Sequence, residues 1–294
     1  MRITRFPRAV LRYAGHLLIG LSERIPYSPD SPVDILERHD DWVTCRVDKV
    51  TLRLNVKHYV DSEILKHGVF EPNSTRWLHK LVKPGMVVAD VGANFGYYTL
   101  RLSQLVGPTG RVHAFEPVTS FRQRLIEHVE RNHCSNVFVV EHALSDSRGS
   151  MEIYQGLNSG LFDWFGSEPP LAVEKVKVTT LDDYVVEKKL SRLDFIKVDI
   201  DGHETHFVRG ASKTLREFQP ILLMEFAHLN LLHAGSGADQ LASQLKDAGY
   251  ILCSERTGKP YRSHEEFLID AMNCAYSVNV FCFPSKLNGE LISD

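Results

Sequence analysis

The residues best suited to chemistry sit at the ends of short apolar runs. Asp90-Val91-Gly92-Ala93-Asn94-Phe95-Gly96-Tyr97-Tyr98-Thr99 closes the β-branched run Val87 to Val91 and opens a helical stretch. Gly92 and Gly96 let a backbone turn sharply and approach a ligand without a Cβ, and the helix that follows offers free N–H groups. The spacing lacks the third glycine of G-x-G-x-x-G, so a pyrophosphate is not demanded. An aspartate directly before the first glycine suits a ligand with an amino group, such as the ammonium of a methionine moiety. Glu116 ends the next strand, 20 residues beyond Gly96, where an acid accepts hydrogen bonds from both ribose hydroxyls. NAD and S-adenosylmethionine proteins share that geometry. Further on, Asp199-Ile200-Asp201-Gly202-His203-Glu204 and Glu225 put acids at the ends of two more apolar runs, where they are costly unless used or paired.

The elements that position these groups alternate. Val87 to Val91, Val112 to Phe115, Val137 to Val140, Phe195 to Ile200 and Ile221 to Met224 read as strands; Tyr97 to Val106, Phe121 to Arg131 and Thr205 to Glu217 read as helices. This pattern predicts a doubly wound, mostly parallel sheet with ligands at the carboxyl edge of its strands. Ala238 to Ala248 reads as a helix, with Tyr250 to Ser254 and Val278 to Phe283 as closing strands. Met151 to Tyr154 and Lys175 to Thr179 read as an inserted hairpin, joined by the stretch Gly156 to Pro170, whose Phe162, Trp164 and Phe165 are as well suited to a lid as to a packed surface loop. Before the core, Trp42 to Val47 and Thr51 to Val56 alternate like strands, and Ser62 to His67 and Thr75 to Leu81 look helical. The division expected is a basic segment and linker over 1–30, an α+β extension over 31–82 and a main domain over 83–294.

Taken in order, the motifs resemble the FkbM-type methyltransferase family. They are Phe70-Glu71-Pro72, Asp90 to Gly96, His113-Ala114-Phe115-Glu116-Pro117, Ala143-Leu144-Ser145-Asp146, Thr180-Leu181-Asp182, Phe195 to Glu204, Gly210-Ala211 and Pro220 to Glu225. The resemblance runs from about Gly68 to Phe226, over half the chain. It implies a class I methyltransferase (Rossmann-like) α/β fold and S-adenosyl-L-methionine as cofactor. By it, Asp90, Gly92, Asn94 and Gly96 surround the methionine part, Glu116 holds the ribose, and Ala143 and Leu144 flank the adenine; Thr99, at the end of the same motif, is a further expected cofactor-binding residue. One departure is Asp201, where the family usually has Glu.

Methyl transfer from a sulfonium is an in-line displacement, so the protein mainly aligns the acceptor and takes its proton. Asp199, His203 and Glu225 are the expected catalytic residues. His203 has a suitable intrinsic pKa, although the family leaves its position variable; a surface histidine reads equally well. Asp201 and Glu204 suit the start of the following helix, where acids meet capping needs and the dipole. A divalent cation at Asp199, Asp201, His203, Glu204 and His206 is considered and not predicted, because neither H-E-x-x-H nor an EF-hand loop is complete. No Asn/Asp-Pro-Pro-Tyr/Phe motif follows Phe195 to Ile200, which favours an oxygen over a planar nitrogen as acceptor.

Composition narrows the rest. The 294 residues are 43% hydrophobic and 24% charged, which excludes disordered and fibrous classes. No apolar run approaches the length of a membrane span. Five scattered cysteines, Cys45, Cys134, Cys253, Cys274 and Cys282, read as reduced thiols in a cytoplasmic protein. Residues 1–22 carry Arg2, Arg5, Arg8 and Arg12 and no acid, against an apolar stripe of Ile3, Phe6, Val10, Tyr13, Leu17 and Leu21. This helix either packs on the domain or makes a peripheral membrane contact. The acidic remainder disfavours nucleic acid, leaving a small molecule, sugar or glycan as the expected acceptor. Two rivals stay open: a nicotinamide-dependent oxidoreductase and a non-catalytic cofactor-binding scaffold.

Overall fold

The computed structural model describes residues 33–155, 172–273 and 277–287. The basic segment 1–22, the linker Pro26 to Pro32, Gly156 to Pro170 and Cys274 lie outside the described residues. The chain divides into two compact units at Glu71/Pro72, ahead of the expected boundary after residue 82. No helix among the described residues is long and apolar enough to cross a membrane.

In the first unit, strands β1 (Asp34–His39), β2 (Trp42–Val47) and β3 (Val50–Asn55) form an antiparallel meander followed by the helix Tyr59–His67. Both hairpins are tight: His39 pairs with Trp42 and Val47 with Val50, and Asp40 and Asp48 take the positive φ that two-residue loops require. Asp61 of the helix accepts the Asn55 N–H at 2.7 Å, tying the helix to β3.

The second unit is built on a seven-stranded sheet. Its strands are β4 (Val87–Val91), β5 (Arg111–Phe115), β6 (Val137–Val140), β10 (Phe195–Val198), β11 (Ile221–Phe226), β12 (Tyr250–Ser254) and β13 (Val278–Pro284), in the order β12-β13-β11-β10-β4-β5-β6. β13 is antiparallel to both β11 and β12, and β4, β5, β6, β10 and β11 run parallel. This is the expected class I methyltransferase architecture. The chain winds outward from β4 to β6, then returns to β10 beside β4. The strand order reverses there, and a crevice for ligands opens at the carboxyl edge. Strands β10 and β4 are buried on both faces, as a sheet covered by helices requires, and residues such as Ile196, Val198, Phe207, Leu222 and Met224 form one continuous core.

The inserted hairpin pairs β8 (Gly149–Gln155) antiparallel to β9 (Ala172–Thr179); β9 also runs parallel to a short β7 (Ala143–Leu144). Ile153 and Val176 pack on Val118, just past Glu116, so the insertion braces that strand end.

Two elements differ from expectation. The strand expected over Phe195 to Ile200 stops at Val198, because Asp201 and Gly202 take φ of 53° and 101° and turn the chain. The helix expected over Thr205 to Glu217 is two helices, Glu204–Gly210 and Ser212–Phe218. The Asp182 carboxylate accepts the N–H groups of Lys213 and Thr214, capping the second helix, and the Gly210 backbone presses against the Ser145 carbonyl. The helix Pro72–Leu81 belongs to this unit: Ser74 donates to Glu255 at 2.5 Å, Trp77 Nε1 donates to the Glu255 carbonyl at 2.8 Å, and Trp77 packs on Phe281.

Candidate active site

The carboxyl ends of β4, β5, β10 and β11 gather most of the expected site residues. Gly92, with φ 78°, and Ala93 both donate their N–H to the Phe115 carbonyl, which folds the glycine turn over β5. A Cβ at Gly92 would stand 1.9 Å from the Asp199 carbonyl oxygen, and one at Gly96 would stand 2.6 Å from Leu125 Cδ1. The two glycines therefore let the protein's own backbone and core close in, whereas the sequence pattern suggested room for a ligand. That closure brings the β4 turn and the β10 turn together.

Three features of the turn match the charge pattern of S-adenosylmethionine. Asp90 is fully buried; its Oδ2 accepts the Thr99 hydroxyl at 2.6 Å, while its Oδ1 is a buried acceptor with no partner, suited to an ammonium. Burial raises the Asp90 pKa against the pull of Lys197 and Thr99, so a cationic ligand group would ionise it fully. The helix Tyr97–Val106 starts at Gly96 without a side-chain cap, so the positive end of its dipole lies at the turn and favours a carboxylate there. Glu116 accepts the Asn94 N–H at 2.7 Å through Oε2 and the Val118 N–H at 2.9 Å through Oε1. Each oxygen keeps a lone pair for a ribose hydroxyl. These residues fit the cofactor.

Glu116 is 4% exposed, and burial pushes its carboxyl up to about 7 even though the N–H groups of Val118 and Asn94 favour the ionised form. Because the folded protein holds this proton more tightly than the ordinary value of 4.5 implies, the resulting stabilisation is complete below 4.5 and is lost as pH rises through 7. Burial lifts Glu204 to about 7 likewise, so the two act in the same window. Glu116→Gln is expected to remove roughly 3 kcal/mol of that loss. Urea denaturation on either side of the window measures it, and an unchanged pH dependence would contradict the assignment.

On the other side of the crevice, Asp199 follows β10 and Glu225 lies near the end of β11. The strands run in register, with Val198 opposite Met224, which sets the two half-buried carboxyls on neighbouring strand ends, where each bears on the other's titration. Two carboxyls so placed resist ionising together. Glu225 lies well above its ordinary value because of burial and then the charges of Asp199, Asp201 and Glu204. Against its own burial, Asp199 is held below by the Lys197 ammonium and by hydrogen bonds from Glu225 and Lys197.

The remaining expected residues are placed as follows. His203 Nε2 is 2.9 Å from Ser145 Oγ, and its ring stacks on His206 at 4.2 Å; burial, then His206, lowers it to about 4, leaving it neutral. Its ring is thus engaged on the β7 side, next to Ala143 and Leu144, which pair with Val178 and Thr179 of β9. Glu204 is fully buried and accepts the Ile200 N–H at 3.0 Å, closing the turn after β10. Asp201 stands well above its ordinary value through burial and then the charges of Asp199 and Glu204. Among the described residues no group of three His, Cys, Asp or Glu is disposed to hold a metal ion. Sequence reasoning missed Lys197. The available signal was a lysine inside the apolar run Phe195 to Val198, a charge that burial would force to find a partner.

Comparison with known proteins bears on the family. The Methyltransferase FkbM domain matches residues 90–252. The 2-O-methyltransferase NoeI of Sinorhizobium fredii is 26% identical over 172 residues, covering 50% of this chain and 68% of that one. The 31-O-demethyl-FK506 methyltransferase FkbM of Streptomyces tacrolimicus is 26% identical over 181 residues, covering 52% of this chain and 65% of that one, just under two thirds. The methyltransferase FkbM structure from Methylobacillus flagellatus is 16% identical with a TM-score of 0.42, covering 71% of this chain and 50% of that one. The domain match spans more than half of the sequence and sets aside the nicotinamide-dependent reading. With a class I sheet and that match, the chain belongs to the FkbM family of S-adenosylmethionine-dependent methyltransferases.

Proposed function

We propose that this protein methylates a hydroxyl oxygen of a small molecule, sugar or glycan, with Asp199 taking the hydroxyl proton. The observation that carries the reading is the placement of Asp199 and Glu225 on neighbouring strands at the carboxyl edge beside the cofactor turn, with Lys197 Nζ 2.9 Å from Asp199 Oδ2. S-adenosylmethionine supplies an electrophilic methyl whose carbon–sulfur bond breaks, with the electron pair going to sulfur, as the acceptor oxygen bonds to that carbon. The oxygen becomes strongly acidic as the bond forms, so an ionised carboxylate of low pKa is an adequate base. Asp199 therefore needs to be ionised and in reach of the acceptor hydroxyl. His203 is kept as a neutral contributor on the Ser145 side. Two relatives named for O-methylation support the oxygen as acceptor atom.

Two measurements test this. Isothermal titration is expected to show binding of S-adenosylmethionine and S-adenosylhomocysteine; no binding would overturn the reading. Incubation with methyl-labelled cofactor and an extract of the native cell is expected to yield a labelled ether. A labelled amine would refute the oxygen acceptor, and binding without any labelled product would favour the scaffold.

A further inference from the structure

Lys197 is 4% exposed, in the middle of the sheet, where an ammonium is stable only if paired. Its Nζ lies 2.9 Å from Asp199 Oδ2 and 4.8 Å from the ring centroid of Tyr98, on the helix that follows the glycine turn. Acids face it from each element packed on β10. Asp90 on β4 is its register partner, Glu225 stands on β11, and Asp201 and Glu204 belong to the turn and helix after β10. Glu116 on β5 adds its charge through Asp201. Such a crowd cannot all be ionised around one cation. The group nearest the ammonium keeps its charge, and the others take up protons.

We propose that Lys197 is a positioning residue: by donating to Asp199 Oδ2 it keeps Asp199 ionised while Glu225 stays protonated. The inference rests on reading Asp199 as the base for the acceptor hydroxyl, and it explains why a lysine is built into the core strand at this point. Asp199 would otherwise meet the same burial and the same neighbouring acids that protonate Glu225 and Asp201, and a protonated Asp199 cannot receive a proton. During the reaction the hydroxyl proton passes to Asp199, while Lys197 and Glu225 keep their protons. The Tyr98 ring holds the ammonium from its other side through its π face, which limits the directions it can take.

The test needs no acceptor. Full-length protein labelled with carbon-13 at the Asp and Glu carboxyls is titrated by NMR in complex with S-adenosylhomocysteine, with Asp199→Asn and Glu225→Gln assigning the two resonances. In the wild type Asp199 is expected to titrate below Glu225 and to be ionised at neutral pH; the reverse order would overturn the proposal without any Lys197 variant. In Lys197→Met the Asp199 midpoint is expected to rise by about 1–3 pH units. An unmoved midpoint in a variant that still binds S-adenosylhomocysteine would also overturn it. Failure of the wild type to bind S-adenosylhomocysteine would refute the functional reading instead, and the titration of the free protein would still decide the role of Lys197.

Discussion

Gly92→Ala is expected to abolish cofactor binding and to destabilise the protein by about 3 kcal/mol or more. The backbone at Gly92 has φ 78°, which an alanine adopts at a cost of about 1–2 kcal/mol. Steric overlap costs more. The new Cβ would lie 1.9 Å from the Asp199 carbonyl oxygen and 3.1 Å from Ile200 Cγ2, and the first of these is backbone that cannot rotate away. Strands β4 and β10 are locked in register up to that point, with Asp90 opposite Lys197 and the Asp199 N–H donating to the Val91 carbonyl at 3.1 Å. Relief therefore requires opening the switch point itself, which moves Asp90 and Asp199 together. Gly235→Ala is the control: its φ is 79°, yet nothing lies within 4 Å of its Cβ, so it isolates the cost of the positive φ. Denaturant unfolding and titration with S-adenosylhomocysteine measure both variants. Equal losses in the two would show that the close approach at Gly92 is not what shapes the site.

Asp199→Asn is expected to lower turnover by about 10²–10⁴-fold while cofactor affinity stays within a few-fold. The amide keeps the shape of the side chain and its contact with Lys197 but cannot accept a proton. Removing the charge leaves the Lys197 ammonium buried without its ionised partner, which by itself would cost about 3–5 kcal/mol. Glu225 limits that loss. Burial still favours its protonated form, but without the Asp199 charge it is expected to ionise more readily and to restore part of the negative charge at that edge. The expected signature is thus a nearly dead enzyme with a limited loss of stability, read by single-turnover rates on the acceptor found by methyl labelling and by thermal unfolding. A variant that retains most of its turnover would remove Asp199 from the chemistry.

Local pattern carried much of this structure. Val87–Val91, Val137–Val140 and Tyr250–Ser254 were legible to the residue because a β-branched or apolar run between turn signals has one stable reading, and Tyr97–Val106 because a helix must follow a turn that leaves N–H groups free. Asp90, Glu116, Asp199 and Glu225 were picked out by their place at the ends of apolar runs, and the parallel sheet gathers those ends along one edge. Elements with weak local signals were not: β1 is almost wholly exposed and so lacks alternation, and β7 is too short to show a period. The break at Ala211 depended on Asp182, far away in sequence, reaching the start of the second helix.

What no reading along the chain decides is who meets whom. The sequence determined the acids, the glycines and the fold class, since those follow from residue type and spacing. Only the assembled sheet decided that Gly92 makes room for the Asp199 carbonyl, that His203 turns to Ser145, and that the buried Lys197 ammonium meets the Asp199 carboxylate. Each is a contact between strands or turns distant in sequence, and the ionisation of a buried acid is a property of all the charges around it.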